Sequence, residues 1–437
     1  MDPIDLCFAG AAQQAQLIRD GEVSARELID ATLRRIDELN PRLNAYRVVF
    51  AEQAIEQAAG IDARPRDERA LALLGVPVAI KDDTDVAGEL TAWGTSAPGQ
   101  AKPNDADVVA RLRSAGAIII GKTHVSEMTA WPWTSSKAWG VTRNPWDPDR
   151  TPGGSSGGSA TATAAGMCGV ALGSDGGGSV RYPAALTGLF GLKPQRDRIP
   201  LGVQHADGWH GLLTYGSLSR TVADAALFLD AAANPTPSGQ FADGLHLPIG
   251  ALRVAVSFDP PAGSMVRLTA ERRLAVERVA KVLDELGHHV IEREIRYTAR
   301  AMRNTTIRYL AGVHQDVATM AHPDQLERNT RRVARLGSMV PSWLLARSRP
   351  PRRGGPRVGH QPDLRSRRRR AHPDHRRPAP TRRRRWPRRG RALPASIQQR
   401  RVGHAVERDR STSSHRARRL RHRRPARGCP VVWTPRR

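Results

Sequence analysis

Two serines surrounded by glycines constrain this chain more than any other feature. Ser155 lies in TPGGSSGGSA, residues 151–160, beside Ser156, and Ser179 lies 24 positions later in GSDGGGSVRYP, residues 173–183. Glycine adopts backbone conformations that other residues resist, so it allows backbone N–H groups to crowd around a reacting oxygen. A serine hydroxyl is a weak nucleophile that needs a base. No histidine has comparable surroundings, so the pattern predicts a reactive serine served by another base.

A lysine at the end of an apolar run is the candidate for that base. Lys81 closes the sequence GVPVAIK, in which Val76–Ile80 is typical of a buried strand. Open α/β sheets place functional groups at the ends of their strands. Burial disfavours the charged amine and is expected to lower the pKa of Lys81 from its ordinary value of about 10.4. Because nearby carboxylates would oppose this shift, we expect the side chains of Asp82 and Asp83 to point elsewhere.

Five sequence blocks, in order, resemble the amidase signature family. The blocks are GVPVAIKDDTDVAG (75–88), GKTHVSEM (121–128), NPWDPDRTPGGSSGGSA (144–160), GSDGGGSVRYPAALTGLFGLKP (173–194) and GSLSRTVADAALFLD (216–230). The resemblance implies an α/β fold with a mixed central sheet covered by helices on both faces. It also implies an amidase that hydrolyses a carboxamide to a carboxylate and ammonia or an amine through an acyl-serine intermediate.

The resemblance further implies a Ser–Ser–Lys triad without a metal or cofactor. It assigns Ser179 as the nucleophile, Ser155 as the bridging serine and Lys81 as the ultimate base, with a cis peptide bond between Gly154 and Ser155. The other predicted site residues are Gly176, Gly177 and Gly178, whose backbone N–H groups, with that of Ser179, form the oxyanion hole, and Ser156, Asp175 and Arg181, which support the loop, the last two as a pair.

Other predictions concern residues near the proposed triad. Gly176 stands where the family often has threonine. We expect Ser174 and His124 to be structural. The loop that contains His205, Trp209 and His210 is a candidate for the pocket wall, although its histidine spacing is not that of a metal site.

Alternating helical and strand patterns support the α/β class. Helices are predicted over residues 5–39, 46–63, 105–115, 221–233, 269–286 and 301–320, and strands over 76–80, 117–120, 252–256 and 289–291. A capping box at Ser24 and Glu27 lies within the first helical stretch, which Asn40-Pro41 is expected to end.

The composition changes near residue 347. Residues 347–437 contain 32 of the 69 basic residues of the chain and four of its 42 acidic residues, which leaves the rest nearly neutral. No apolar period runs through this segment, so it predicts a disordered Arg/Pro-rich tail (347–437) after an amidase domain (1–346). Out-of-frame translation of a GC-rich gene explains the amino-acid composition of this segment better than a role as a nucleic-acid-binding tail does. Family members continue here with a strand- and turn-rich portion, so we expect the C-terminal part of the fold to be incomplete.

Alternatives to an active amidase stay open. They are a catalytically impaired remnant, the A subunit of a tRNA-dependent amidotransferase, and nucleic-acid binding by the tail. Tyr182 and Arg196 occupy positions where the amidotransferase usually has glutamine and tyrosine, which disfavours it. The nearly neutral body predicts no specific nucleic acid, and a homo-oligomer is compatible with the sequence.

Cysteine usage and hydropathy bear on the compartment. Cys7, Cys168 and Cys429 are scattered, no signal-peptide pattern opens the chain, and no apolar run approaches the roughly 18 residues of a membrane helix. We therefore expect a cytoplasmic protein that acts on a small-molecule amide away from membranes.

Overall fold

The computed structural model describes residues 1–96, 99–202, 207–234, 240–260, 266–295 and 297–349. The strands are β1 Tyr46–Val49, β2 Pro77–Lys81, β3 Ile118–Thr123, β4 Ser135–Ser136, β5 Gly140–Val141, β6 Val170–Asp175, β7 Phe190–Leu192, β8 Thr214–Ser219, β9 Arg253–Val256 and β10 His289–Glu292. The helices are α1 Pro3–Phe8, α2 Ala11–Asp20, α3 Ala25–Leu43, α4 Ala51–Asp62, α5 Asp107–Ser114, α6 Gly157–Ala164, α7 Arg181–Thr187, α8 Gly208–Gly211, α9 Val222–Ala232, α10 Gln240–Gly244, α11 Ala270–Glu285, α12 Ala299–Ala318, α13 Arg328–Ser338 and α14 Ser342–Ser348.

A mixed six-stranded sheet organises the fold. Its strand order is β1-β3-β2-β6-β8-β7. The central strand β2 runs parallel to both β3 and β6, whereas β1 is antiparallel to β3, and β8 is antiparallel to β6 and β7. This arrangement confirms the predicted mixed central sheet.

Both faces of the sheet are covered because its central strands carry apolar side chains in both directions. In β2, Val78 and Ile80 belong to one core cluster, together with residues of α5 and α9. Ala79 between them belongs to a second cluster, with residues of α3, α4 and α6. Continuous apolar strands of this kind are typical of parallel strands buried on two faces.

The N-terminal region forms three helices rather than one. The predicted capping box begins α3: the Ser24 hydroxyl accepts the N–H of Glu27, whose carboxylate accepts the N–H of Ser24 at 2.8 Å. The prediction that this helix ends at Asn40-Pro41 is wrong, because α3 continues to Leu43 and is capped by Asn44, which adopts a left-handed conformation with φ of 50°. A proline in the last turn removes only one helical hydrogen bond.

The predicted helix over 46–63 is a strand followed by a helix. Tyr46–Val49 forms edge strand β1, in which Tyr46 pairs with Thr123 and Val49 with Gly121. A Cβ atom on Gly121 would lie 2.3 Å from the carbonyl oxygen of Val48, so glycine permits the close approach of the two strands. The other predicted elements from β2 to α12 are confirmed to within three residues at each end.

The predicted domain boundary after residue 346 falls within α14. Residues 350–437 lie outside the described residues, so the division into a domain and a tail stays a prediction. No helix of the described part combines the length and hydropathy needed to cross a membrane.

Candidate active site

Strand β2 carries Lys81 to the centre of the site. Lys81 is its last residue, and the side chain is fully buried. Since side chains alternate along a strand, Lys81 shares the face of Ala79, on which α6 packs. Its Nζ atom lies 2.7 Å from the Oγ atom of Ser155 and 2.7 Å from that of Ser174. The lysine therefore contacts two serine hydroxyls.

Ser155 lies in the turn that leads into α6. The peptide bond between Gly154 and Ser155 is cis, as predicted. A Cβ atom on Gly154 would lie 2.5 Å from the carbonyl oxygen of Trp133, so this position requires glycine. Ser156 follows as the N-cap residue of α6, and its N–H donates to the carbonyl oxygen of Ser179 at 3.3 Å. The two serine-bearing segments are thus adjacent.

Ser179 lies in the loop between β6 and α7. It borders an open cleft of about 250 Å³, called here the Ser179 cleft. Asp175 holds the loop, because its carboxylate accepts the N–H groups of Gly178 at 2.8 Å and Val180 at 3.2 Å and pairs with Arg181 at 2.9 Å. The predicted Asp175–Arg181 pair is therefore present.

One oxyanion-hole prediction needs correction. The N–H of Gly178 donates to the carboxylate of Asp175, which is the last residue of β6 and around which the following loop turns. Gly178 is therefore not free to donate to a substrate oxygen. Gly176 and Gly177 line the Ser179 cleft, and no acceptor for their N–H groups is present among the described residues.

The expectation for Asp83 is wrong. Its carboxylate lies 3.2 Å from the Nζ atom of Lys81 and accepts a hydrogen bond from the Ser174 hydroxyl. A turn follows β2 directly, in which the N–H of Thr84 donates to the carbonyl oxygen of Lys81 at 3.1 Å. This turn folds Asp83 back toward the lysine. Ser174, expected to be structural, joins Lys81 to Asp83.

Asp82 points away from Lys81, as expected. Its carboxylate pairs with Arg47 and lies 3.0 Å from the Nζ atom of Lys122. Arg47 also pairs with Glu89 at 3.1 Å. Each buried charge in this cluster thus has an oppositely charged partner, which buried ions require. The cluster joins the ends of β2 and β3, and the Asp82 carboxylate is engaged there and not with Lys81.

Burial and charge act in opposite directions on Lys81. Burial lowers the pKa of Lys81 below its ordinary value, whereas Asp83 and, more weakly, Asp175 raise it. For Asp175 itself, burial raises the pKa, but the hydrogen bonds and charge of Arg181 and the N–H groups of Val180 and Gly178 leave it below its ordinary value. Asp175 is therefore ionised at neutral pH.

Aromatic side chains form much of the wall of the Ser179 cleft. They are Trp131, Tyr182, Trp209 and Tyr309, and α12 adds Thr305 and Thr306. Trp209 thus fulfils the expectation for its loop. His210 does not line the cleft, since its Nδ1 atom faces Asp207 at 3.2 Å and Arg349 at 2.8 Å. His205 lies outside the described residues.

Two functional features escaped the sequence analysis. The strand-end rule that identified Lys81 applies equally to Ser174, near the end of the adjacent β6, and could have found it. The contribution of α12 had no comparable signal, because more than 100 residues separate it from Ser179. No cluster of His, Cys, Asp or Glu side chains within the described ranges has the arrangement of a metal site.

Comparison with known proteins decides the family. The family model described as amidase matches residues 27–352. The chain belongs to the amidase family. It is therefore an enzyme that hydrolyses amides.

Individual amidase relatives agree with this assignment. The protein named "Putative amidase AmiB2" of Mycobacterium tuberculosis is 49% identical over 347 residues, which cover 79% of this chain and 75% of that protein. A solved structure of 6-aminohexanoate cyclic dimer hydrolase has a TM-score of 0.71 and 30% identity, covering 78% of this chain and 74% of that chain. The A subunit of the glutamyl-tRNA(Gln) amidotransferase of Syntrophobacter fumaroxidans is 38% identical over 296 residues, 63% of this chain and 58% of that protein.

Proposed function

We propose that this amidase transfers the acyl group of a carboxamide to Ser179, with Ser155 as the proton relay and Lys81 as the base. The hydrogen bond of 2.7 Å between Lys81 Nζ and Ser155 Oγ, both fully buried, carries the proposal. Ser179 supports it by bordering the cleft next to the Ser155–Ser156 segment.

The acylation step begins with neutral Lys81. As the Ser179 oxygen attacks the carbonyl carbon, its proton passes to Ser155, and Ser155 passes its own proton to the lysine amine. The carbonyl oxygen becomes an oxyanion, to which the N–H groups of Gly176 and Gly177 donate. The C–N bond then breaks, and the amine leaves with a proton returned from Lys81 through Ser155.

The deacylation step uses the same proton path, with water in the place of the attacking serine. Water attacks the Ser179 ester, its proton moves through Ser155 to Lys81, and the carboxylic acid leaves as the Ser179 hydroxyl regains a proton. Among the described hydrogen bonds, none joins the Ser155 and Ser179 hydroxyls directly. Catalytic hydrogen bonds are often long without substrate and tighten in the complex, so we expect this contact to form when a carboxamide enters the cleft.

Three alanine variants test the assignment in steady-state hydrolysis of a primary amide. Ser179→Ala is expected to abolish turnover, and Lys81→Ala and Ser155→Ala are expected to lower kcat by about 10²–10⁴-fold, the usual contribution of general acid–base catalysis. Ser114→Ala, which changes an exposed serine that bonds only within its own helix, is the matched control and keeps the rate. Full activity of Ser179→Ala would remove the proposal. A folded wild-type protein without turnover would instead favour the catalytically impaired remnant.

The similarity to the glutamyl-tRNA(Gln) amidotransferase supports a second candidate, in which the amide is glutamine and the released ammonia displaces the leaving group of a glutamyl-tRNA side-chain carboxyl group that partner proteins have activated. Glutamine-dependent amidation of glutamyl-tRNA in the presence of partner proteins tests it. Amide hydrolysis by the isolated chain, without such amidation, would leave the amidase as the function.

A further inference from the structure

We propose that Trp209 makes this enzyme selective for carboxamides that carry an uncharged, apolar substituent, by forming a fixed wall of the Ser179 cleft. The inference rests on the proposed role of Ser179. It names the class of substrate that this site accepts.

Trp209 is held on two sides of its indole ring. Its Nε1–H donates to the Oδ2 atom of Asp316 at 2.7 Å, and its ring meets that of Tyr309 edge-on, with centroids 5.3 Å apart and planes at 78°. Only 7% of the residue is exposed. A ring whose polar atom is already paired presents only carbon atoms to a ligand.

Two glycines provide the space that the indole fills. A Cβ atom on Gly312 would lie 2.6 Å from Cδ1 and Cγ of Trp209, and one on Gly176 would lie 2.7 Å from its Cε3 atom. The ring therefore packs directly on the backbone of α12 and on that of the Ser179 loop. Threonine, which the resembled family often has at position 176, is incompatible with this position of the ring.

The backbone around Trp209 is unusual. Trp209 has φ of 47° and His210 has φ of 56°, so two consecutive residues with large side chains adopt left-handed conformations. Such conformations are disfavoured for these residue types and persist where surrounding packing enforces them, often at functional sites. Here the contacts of the indole with Gly176 and Gly312 supply that packing.

The remaining wall explains why a charged substituent is excluded. None of the described residues that line the Ser179 cleft carries a formal charge. Asp316 is the acidic group nearest to the ring, and it accepts the indole N–H. A charged substituent would lose part of its hydration without gaining an oppositely charged partner from these lining residues, whereas an apolar one would gain free energy by leaving water.

The test compares kcat/KM across a series of primary amides from acetamide to hexanamide, with the monoamide of succinic acid as the charged member. For the unmodified protein we expect kcat/KM to rise about fourfold per methylene group, the usual effect of burying one CH₂. We expect the kcat/KM of the charged amide to be no higher than that of the uncharged amides. A parallel series of N-alkyl acetamides shows whether the acyl or the amine side carries the preference.

Variants connect the preference to the ring. Trp209→Ala is expected to remove most of the dependence on chain length, whereas Trp209→Phe is expected to keep it. Trp343→Ala, which changes an exposed tryptophan outside the cleft, is the matched control and keeps the full dependence. Should Trp209→Ala fail to fold, Gly312→Ala, whose added Cβ displaces the ring, is expected to weaken the same dependence.

The result that would overturn the inference is the same chain-length dependence in Trp209→Ala, or in Gly312→Ala where the first does not fold, as in the unmodified protein. Labelling of Ser179 by a small fluorophosphonate separates the two proposals. A labelled Ser179 with no chain-length dependence contradicts the inference about Trp209 alone, whereas an unlabelled Ser179 in a folded, hydrolysing enzyme contradicts the proposed function.

Discussion

Replacing Asp83 by asparagine is expected to move the acidic limb of the pH–rate profile to lower pH. The Asp83 carboxylate lies 3.2 Å from Lys81 Nζ, and an opposite charge at such a distance raises the pKa of the amine. Asparagine keeps the size of the side chain but removes the charge, so the pKa of Lys81 falls. Because Lys81 acts as a base only when neutral, the midpoint of this limb follows its pKa to lower pH.

The charges around Lys81 define the control. Asp175 also raises the pKa of Lys81, and Tyr215 faces Asp83 from β8, but neither changes in this variant. Ser174→Ala removes the bridging hydroxyl and keeps the carboxylate, so its limb is expected to stay closer to that of the unmodified enzyme.

The assay for this prediction is kcat/KM for a neutral amide between about pH 5 and pH 10, a range that spans the titration of a perturbed lysine. An Asp83→Asn limb that stays in place or moves to higher pH would refute the argument that Asp83 retains the proton on Lys81.

Three further predictions concern stability. Burial lowers the pKa of His124 from 6.5 to about 4, so the unfolded state binds more protons than the folded state between these pH values. The free energy of unfolding should therefore fall by about 3 kcal/mol between pH 7 and pH 4. Urea titrations of His124→Gln should show a smaller fall over the same range. Arg181→Ala leaves the buried Asp175 without its ionic partner and should lower stability by about 1 kcal/mol in thermal melts, less than for a fully buried pair because Arg181 is half exposed. Gly158→Ala places a Cβ atom 2.4 Å from the carbonyl oxygen of His124 and should cost about 1–3 kcal/mol by the same measurement, with Gly60→Ala, which meets no atom within 4 Å, as the control.

The candidate triad was predictable because its signals are local. Gly154 before Ser155 and Gly178 before Ser179 occupy positions where a Cβ atom would clash, and the apolar run before Lys81 marks a buried strand that ends at the site. Because side chains alternate along a strand, Lys81 lies on the face of β2 on which α6 packs. Ser155 lies just before α6 and is therefore close to Lys81.

The features that escaped prediction depend on geometry that a local pattern does not contain. Alternation stops where β2 ends, and the turn at Thr84 then decides that Asp83 faces Lys81. Tyr46–Val49 becomes an edge strand because Gly121 of another strand allows its approach. The place of Trp209 depends on Gly312, which only the tertiary fold brings to it.

Rapid acid quench during turnover, followed by peptide mass spectrometry, tests the proposed acyl-serine chemistry most directly. With an activated ester of an apolar acid as substrate, we expect the mass of the acyl group on the peptide that contains Ser179, no adduct in Ser179→Ala, and much slower adduct formation in Lys81→Ala. An acyl group on a different residue, or an adduct that forms at the same rate without Lys81, would contradict the account.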